Sequence, residues 1–217
     1  MRIQIALDLV DLLKAVDIAR DLCMAGADLI EAGTPLIKAY GIGAVGLIKA
    51  ACPHAEAVAD IKTADVGALE AELAKRAGAD WGTVMAVANL ETVEEFAKRA
   101  REIGLKTALD TIGLPSPRDR VLEILNRVPI DMIIFHLGID VQKRRGLTIE
   151  GLADEAEKIK REGGVAVAVA GGIDERSLSA IRGRDIDVAI IGRAITSAKS
   201  PREAYLSLKS IITKITN

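Results

Sequence analysis

The chain has 217 residues, half of them apolar, so its length and composition allow one sizeable hydrophobic core. Its 29 basic and 31 acidic residues leave a formal net charge of -2, which gives no electrostatic reason to expect nucleic acid or an anionic membrane as a partner. Charged residues interrupt the amino-terminal stretch at Asp8 and Asp11, and no apolar run approaches the roughly 20 residues of a membrane span. We therefore expect a cytoplasmic protein without a signal peptide.

Short β-branched or alanine-rich runs alternate along the chain with longer stretches of helical spacing. The eight predicted strands lie at about residues 2–8, 28–32, 55–61, 81–85, 105–110, 131–136, 165–170 and 186–191. The predicted helices fall between the strands and include residues 10–24, 91–103, 149–162 and 201–214. No Pro-, Gly- or Ser-rich linker divides the chain, so we predict one domain over residues 1–217.

Near-continuous apolar strands that alternate with amphipathic helices predict a parallel sheet whose outer face the helices cover. Eight such units favour an α/β protein with a closed (β/α)8 TIM barrel. The alternative is a doubly wound open sheet of about six strands. Its usual Gly-rich fingerprint is missing, because the first strand runs into ALDLVDL.

The two cysteines, Cys23 and Cys52, both fall in stretches that are predicted to be helical. A pair this sparse in a chain of this length does not suggest a disulfide framework or a metal cluster. The sequence therefore predicts two buried free thiols.

The carboxyl ends of the predicted strands carry ionisable residues or glycines, although the strands themselves are apolar. In chain order these ends are Asp8, Glu31, Asp60 with Lys62, Met85, Asp110, His136, Gly171 with Gly172, and Gly192 with Arg193. A single acid at a strand end is commonly a helix N-cap. So many of them together indicate an active site, because TIM barrels place their chemistry at this face.

The last two strands end in a pattern typical of phosphate binding. They run into VAVAVAGGID and DVAIIGRAI, where glycines precede the start of a helix whose backbone N–H groups favour an anion. TIM barrels often bind the phosphate of a substrate at this pair of loops. Gly171, Gly172, Gly192 and Arg193 are therefore candidate phosphate-binding residues, with tight turns and a solvated arginine as the alternative.

The segment VADIKTADVG brings three charged residues close together in sequence. Side chains two apart on a strand share a face, so Asp60 and Lys62 are predicted to face the pocket together. Glu31 on the neighbouring strand and Asp60, with Asp8 alongside, form a candidate set of oxygen ligands for Mg²⁺. A structural salt-bridge network is the alternative. Asp65 lies three residues past Lys62 and either caps the next helix or faces another subunit.

The chain has two histidines, and we expect only one of them to take part in chemistry. His136 ends an apolar strand, where a neutral imidazole can exchange protons near pH 7. His54 precedes the third strand and should lie on the opposite face of the barrel, where we expect it to be inert.

Together these residues identify a resemblance to the orotidine monophosphate decarboxylase superfamily, whose Asp-x-Lys-x-x-Asp signature is matched by Asp60, Lys62 and Asp65. Within the superfamily the chain is most similar to the 3-hexulose-6-phosphate synthase family. Six motifs carry the resemblance in the expected order over almost the whole chain, and they are ALDL, EAGTP, ADIKTAD, HLGIDVQ, VAVAGGI and IIGRAIT.

The resemblance implies a reversible, Mg²⁺-dependent aldol condensation of formaldehyde with D-ribulose 5-phosphate, which gives D-arabino-hex-3-ulose 6-phosphate. It implies that Glu31 and Asp60 bind Mg²⁺ while a proton leaves C1 of the sugar and an enediolate forms. Lys62 would lie beside the enediolate oxygens, and His136 would shuttle the proton.

The remaining strand ends also receive expected roles from the resemblance. Asp8 and Asp110 would hold substrate hydroxyls or the lysine, and the two glycine loops with Arg193 would take the phosphate. Asp65 would reach into the active site of a second copy of the chain, which implies an obligate homodimer with shared sites.

Two alternative functions stay open. A 3-keto-L-gulonate 6-phosphate decarboxylase would use the same metal and an equivalent enediolate, formed by loss of CO₂. That family places an arginine three residues after its histidine, where this chain has Ile139, whereas IGRAIT departs from the Gly-Gly usual in the synthases. Orotidine monophosphate decarboxylase is a weaker match, because it needs no metal and no histidine at this strand. An alternative of another class is a non-catalytic barrel that binds a sugar phosphate.

Overall fold

Eight parallel strands close into a barrel in sequence order, and the register of β8 against β1 completes the ring. The computed structural model describes residues 1–138, 140–141 and 148–213. The strands are β1 (Arg2–Leu7), β2 (Leu29–Ala32), β3 (Glu56–Thr63), β4 (Trp81–Met85), β5 (Lys106–Asp110), β6 (Met132–His136), β7 (Ala166–Ala170) and β8 (Val188–Ile191). The predicted (β/α)8 barrel is confirmed, and the open sheet is excluded because β1 and β8 pair with each other.

Helices connect successive strands and cover the outside of the barrel. Those in the described part of the chain are α1 (Leu12–Met24), α2 (Thr34–Tyr40), α3 (Gly43–Ala51), α4 (Gly67–Arg76), α5 (Leu90–Ile103), α6 (Arg118–Leu125), α7 (Ile149–Gly163), α8 (Glu175–Ile181), α9 (Arg193–Thr196) and α10 (Pro201–Thr213). The Asp11 side chain accepts a hydrogen bond from the Lys14 backbone N–H at 3.0 Å, which is why α1 begins at residue 12 rather than at 10. Among the described residues, no helix is long and apolar enough to cross a membrane.

Two apolar layers hold the barrel together. One lies between the strands and the helices, and the other fills the interior of the barrel. The outer layer depends on close helix approach at β4, where a Cβ atom at Gly82 would come within 2.9 Å of the fully buried ring of Phe96 on α5. Glycine weakens a strand interior, but at this position it lets the helix pack against the sheet.

The two cysteines form a disulfide in the structure. Cys23 lies in the last turn of α1 and Cys52 directly follows α3, and their Cα atoms are 5.2 Å apart. The prediction of two free thiols is therefore wrong. The two residues are 29 positions apart in sequence, and only the packing of α1 against α3 brings them together, so sequence spacing carried no sign of the pairing.

Candidate active site

A cavity of about 800 Å³ opens at the carboxyl ends of the strands. Its lining includes all the predicted strand-end residues except Met85, namely Asp8, Glu31, Asp60, Lys62, Asp110, His136, Gly171, Gly172, Gly192 and Arg193. Residues that are far apart in sequence meet here because parallel strands in a closed barrel all end at the same face. Met85 instead packs against the apolar layer between strands and helices.

Lys62 enters the cavity from an irregular stretch of β3. The register between β3 and β4 shifts between Ala59 and Thr63, and Lys62 has a left-handed backbone conformation with φ of 49°. Such a conformation costs a non-glycine residue roughly 1–2 kcal/mol, so surrounding contacts must hold it in place. Asp60 and Lys62 do face the pocket together as predicted, but through this bulge rather than through regular alternation along the strand.

Strand β4 contributes Thr83 to the site, a residue that was not predicted from the sequence. Its hydroxyl oxygen accepts a hydrogen bond from the Lys62 backbone N–H at 2.9 Å and donates to Asp60 Oδ1 at 3.1 Å. A buried threonine two residues before the strand end was the available signal. Thr83 therefore stabilises the bulge and orients the carboxylate at once.

Asp60 is the most heavily bonded acid in the cavity. Lys62 Nζ donates to both of its carboxylate oxygens, at 2.8 and 2.6 Å. The hydroxyl oxygen of Thr34, at the start of α2, lies 2.7 Å from Asp60 Oδ2 and 2.8 Å from the Asp60 backbone oxygen, and its one hydrogen is shared between them. Thr34 belongs to the EAGTP motif but was not predicted as a site residue. These bonds fix the orientation of the Asp60 carboxylate.

Three acids, Asp8, Glu31 and Asp60, line the cavity near Lys62, and burial together with repulsion raises the pKa of two of them. Burial, followed by the charges of Asp60 and Asp8, raises the pKa of Glu31 well above its ordinary value. Partial burial and the charge of Asp60 likewise raise the pKa of Asp8, although its side chain faces the open cavity. Ionising all of these acids beside a single lysine is therefore unfavourable, and an additional cation would offset that cost.

Lys62 remains an ammonium ion in this environment. Burial alone lowers its pKa, but the neighbouring charges of Asp60 and Asp110 outweigh that effect and raise the pKa above its ordinary value. Its Nζ lies 3.4 Å from Asp110 Oδ2 as well as against Asp60. A lysine held in this state supplies positive charge rather than a basic nitrogen.

Asp110 links Lys62 to His136. Asp110 is buried, and although burial raises its pKa, the hydrogen bond and charge of His136 and the charge of Lys62 bring the net pKa below its ordinary value. Its Oδ2 lies 3.0 Å from His136 Nδ1, and its Oδ1 accepts from the Ile112 backbone N–H at 2.8 Å. An ionised carboxylate can only accept, so Nδ1 carries the hydrogen and Nε2 of a neutral imidazole is the basic nitrogen.

The glycine loops after β7 and β8 also line the cavity, together with Arg193. Gly171 has φ of 125°, and a Cβ atom there would overlap the Leu137 backbone oxygen, so only glycine fits. Gly172 has φ of 68°, which also favours glycine. The loops lie where the sequence predicted a phosphate site, and the exposed Arg193 at the start of α9 faces the same cavity.

Asp65 is the one predicted catalytic residue that does not line the cavity. It is exposed just before α4, whose first turn has no side-chain cap, so the predicted N-cap role is not found. The neighbouring side chains of Val66, Leu69 and Leu73 are apolar and exposed. Ile139, which separates the synthase pattern from the decarboxylase pattern, lies outside the described residues.

Glu31 and Asp60 offer the type of ligand atom that a hard divalent cation takes. Mg²⁺ prefers carboxylate oxygens and keeps several waters, and a cavity open to solvent with acids of raised pKa provides both. Glu31 also accepts a hydrogen bond from Gln4 Nε2 inside the barrel, which orients its carboxylate from below. Gln4 was not predicted, although a fully buried polar residue in the first strand was a signal.

The protein is a (β/α)8 barrel with an enzyme-like cavity at the carboxyl ends of its strands, lined by acids, a charged lysine and a histidine that is hydrogen-bonded to a carboxylate. The chain belongs to the orotidine 5'-phosphate decarboxylase / HUMPS family, which matches residues 1–208.

Two curated relatives cover nearly the whole chain. A 3-hexulose-6-phosphate synthase of Mycobacterium gastri is 33% identical over 212 residues, which are 98% of this chain and 100% of the relative. A bifunctional enzyme Fae/Hps of Methanococcoides burtonii is 37% identical over 204 residues, which are 93% of this chain. The chain spans about half the length of that bifunctional relative, since the match covers 50% of it.

Two solved structures show the same architecture. A 3-hexulose-6-phosphate synthase from Salmonella typhimurium has a TM-score of 0.91 and 30% identity, with 100% of each chain covered. A 3-keto-L-gulonate-6-phosphate decarboxylase from Vibrio cholerae has a TM-score of 0.79 and 28% identity, with 100% of this chain and 99% of that chain covered. The family therefore contains both of the activities that the sequence motifs left open.

Proposed function

We propose that the protein is a 3-hexulose-6-phosphate synthase, which catalyses the reversible condensation of formaldehyde with D-ribulose 5-phosphate to D-arabino-hex-3-ulose 6-phosphate. The observation that carries the proposal is the connected set of Asp60, Lys62, Asp110 and His136 beside Glu31 in one cavity. The full-length similarity to a synthase supports the same assignment.

The proton transfer is assigned to His136. The bond that must break is C1–H of ribulose 5-phosphate, and the acceptor must be a neutral base within reach of the cavity. Lys62 is an ammonium ion and cannot take that proton. His136 Nε2 can, because Asp110 holds the hydrogen of the ring on Nδ1. The imidazolium that forms then lies against the Asp110 carboxylate, which stabilises it.

The negative charge left on the sugar is stabilised by fixed positive charge. Loss of the C1 proton leaves an enediolate, and the Lys62 ammonium beside Asp60 is placed to interact with its oxygens. Glu31 and Asp60, with Asp8 alongside, would hold Mg²⁺, which when bound supplies further electrostatic stabilisation of those oxygens. The C1 carbon then attacks formaldehyde, a C–C bond forms, and the formaldehyde oxygen takes the proton as a hydroxyl.

The phosphate loops would determine how the substrate lies in the cavity. A phosphate held by the loops of Gly171, Gly172 and Gly192 with Arg193 would direct the sugar across the barrel mouth toward the acid cluster. Asp8 lies next to the loop after β8, since a Cβ at Gly192 would contact its Oδ2 at 3.5 Å. It is placed to accept hydrogen bonds from substrate hydroxyls.

A homodimer completes the proposal. Asp65 is exposed beside an apolar surface formed by Val66, Leu69 and Leu73, the last two on one face of α4. Exposed apolar side chains of this kind are typical of protein interfaces. A second copy of the chain seated on this surface would bring Asp65 toward the cavity of its partner and give two shared sites.

The second candidate is a 3-keto-L-gulonate 6-phosphate decarboxylase activity, which the similarity to solved decarboxylases favours. Both reactions pass through an enediolate and use the same acids and lysine. In the decarboxylase reaction CO₂ leaves the substrate, whereas in the synthase reaction a proton leaves C1. Only the loss of the proton requires a base such as His136 to form the enediolate.

One pair of assays separates the candidates. The purified protein is incubated with ribulose 5-phosphate, formaldehyde and Mg²⁺, and formaldehyde consumption is followed with and without EDTA. A parallel sample receives 3-keto-L-gulonate 6-phosphate, and CO₂ release is measured. Formaldehyde consumption that EDTA abolishes is the expected result. CO₂ release without any condensation contradicts the synthase proposal, and inactivity in both assays with ribulose 5-phosphate bound indicates a non-catalytic barrel.

A further inference from the structure

Three potential metal ligands meet at the amino-terminal end of the barrel, at the opposite end from the acid cavity. Cys23 lies in the last turn of α1, while Cys52 and His54 lie on the turn between α3 and β3. One ligand atom from each of the three residues lies within 4.8 Å of the other two. We propose that, once the Cys23–Cys52 disulfide is reduced, these three residues bind a thiophilic divalent cation, with Zn²⁺ as the best match.

His54 lies close to both sulfurs, with Cys23 Sγ over the face of its ring. Both ring nitrogens of His54 are 3.5 Å from Cys23 Sγ, and Nε2 is 3.9 Å from Cys52 Sγ. A tetrahedral Zn²⁺ with Zn–S of about 2.3 Å and Zn–N of about 2.0–2.1 Å separates sulfur and nitrogen ligands by roughly 3.6 Å. Reduction of the disulfide, with a rotation of the imidazole that points one nitrogen at the two sulfurs, would bring the three residues to this spacing.

The burial of the three residues suits a site with one open position. Cys52 is buried, Cys23 is half-buried and His54 is exposed, so a cation at their centre would face solvent on the histidine side. Two thiolates and one imidazole are ligands that Zn²⁺ favours, and water would occupy the fourth position of the tetrahedron.

The two states of the cluster exclude each other. A dithiol reductant transfers two electrons and two protons to the disulfide, which gives two thiols and the oxidised, cyclic form of the reductant. Binding of the cation then displaces the two thiol protons, because the thiolate is the ligand form. Either the disulfide or the bound cation therefore ties the end of α1 to the turn before β3. The site is independent of the proposed condensation reaction.

A cobalt titration tests the proposal on the intact chain. The protein is reduced with dithiothreitol, freed of the reductant without oxygen, and titrated with Co²⁺ in the presence of excess Mg²⁺, which competes for carboxylate ligands. Cobalt bound to thiolates gives a sulfur-to-metal charge-transfer band that carboxylate binding does not give. We expect this band to saturate at one Co²⁺ per chain and to vanish when Zn²⁺ is added, whereas the oxidised protein gives no band.

The two histidines provide a matched pair of variants. His54→Ala removes an exposed side chain and should fold normally, and we expect it to weaken Co²⁺ binding at least about 100-fold, since losing even a hydrogen-bond partner of a metal ligand costs 10–100-fold. His136→Ala should leave the band unchanged. The proposal is overturned if the reduced, folded protein shows no thiolate band, or if His54→Ala binds Co²⁺ as tightly as the unmodified chain.

Discussion

Replacing Asp110 by asparagine tests whether this residue sets the protonation of His136. The asparagine has nearly the same shape, and the site is buried with His136 Nδ1 3.0 Å away, so the side chain should stay in place. Its amide NH₂ can donate to Nδ1 and thereby move the ring hydrogen to Nε2, where it blocks proton abstraction. The variant also removes a negative charge that lies 3.4 Å from Lys62 Nζ.

The expected loss in kcat is roughly 10²- to 10⁴-fold, the usual contribution of a positioned general base. That range corresponds to about 3–5 kcal/mol of activation free energy. KM for ribulose 5-phosphate should change little, because the phosphate loops are untouched. Asp131→Asn is the matched control, since the Asp131 side chain accepts from the Thr107 backbone N–H at 2.7 Å at the other end of the barrel.

The assay is the exchange of the C1 hydrogen of ribulose 5-phosphate with D₂O, followed by NMR in the absence of formaldehyde. This measures proton abstraction alone. Asp110→Asn should exchange slowly, Asp131→Asn should exchange normally, and Asp110→Asn combined with His136→Ala should be no slower than His136→Ala, because the two residues act as one unit. Exchange by Asp110→Asn within about threefold of the unmodified rate, or losses that multiply in the double variant, would refute the assignment.

Three further predictions concern the acid cluster, the subunit contact and the disulfide. The pKa of Glu31 is raised in the folded state, so the folded protein loses stability as the pH rises through that raised pKa. Each pKa unit between the folded and unfolded states corresponds to about 1.4 kcal/mol. Glu31→Gln should therefore raise the melting temperature at pH 8 in EDTA but not below pH 4. The same variant should lose Mg²⁺-dependent turnover. An unchanged melting temperature at pH 8 would contradict an unfavourable charge on Glu31. Asp65→Ala and Lys62→Ala, each inactive alone, should recover activity when co-expressed as mixed dimers, and no recovery excludes a shared site. Cys23→Ser should lower the free energy of unfolding under oxidising conditions by roughly 3–4 kcal/mol, the value expected for a loop of this length; urea unfolding that matches the unmodified chain would contradict a formed disulfide.

The barrel and most of the cavity could be predicted because both follow from local patterns. Apolar strands at regular spacing allowed the eight strand–helix units to be predicted. The shared location of Asp110 and His136 followed from the rule that parallel strands in a barrel end at one face. The histidine–aspartate contact joins the neighbouring strands β5 and β6, although Asp110 pairs with Ile134, two residues before His136.

Other features depend on contacts that no local pattern encodes. The bulge at Lys62 arises from the register shift against β4 and from the Thr83 hydroxyl, neither of which alternation along one strand reveals. The disulfide needs two helix ends to meet across 29 residues of sequence. Thr34 contacts Asp60 only because α2 begins directly above β3, so the side chain that orients the acid was found only in the folded chain.

The central claim is that the cavity joins formaldehyde to a ketose phosphate. The most direct measurement is a carbon NMR spectrum of the reaction of ¹³C-formaldehyde with ribulose 5-phosphate, Mg²⁺ and the purified protein. The proposed reaction places the label in the new C1 hydroxymethyl group of a hexulose 6-phosphate, next to an unlabelled C2. Labelled formaldehyde that stays unreacted while ribulose 5-phosphate and Mg²⁺ are bound would contradict the proposed function.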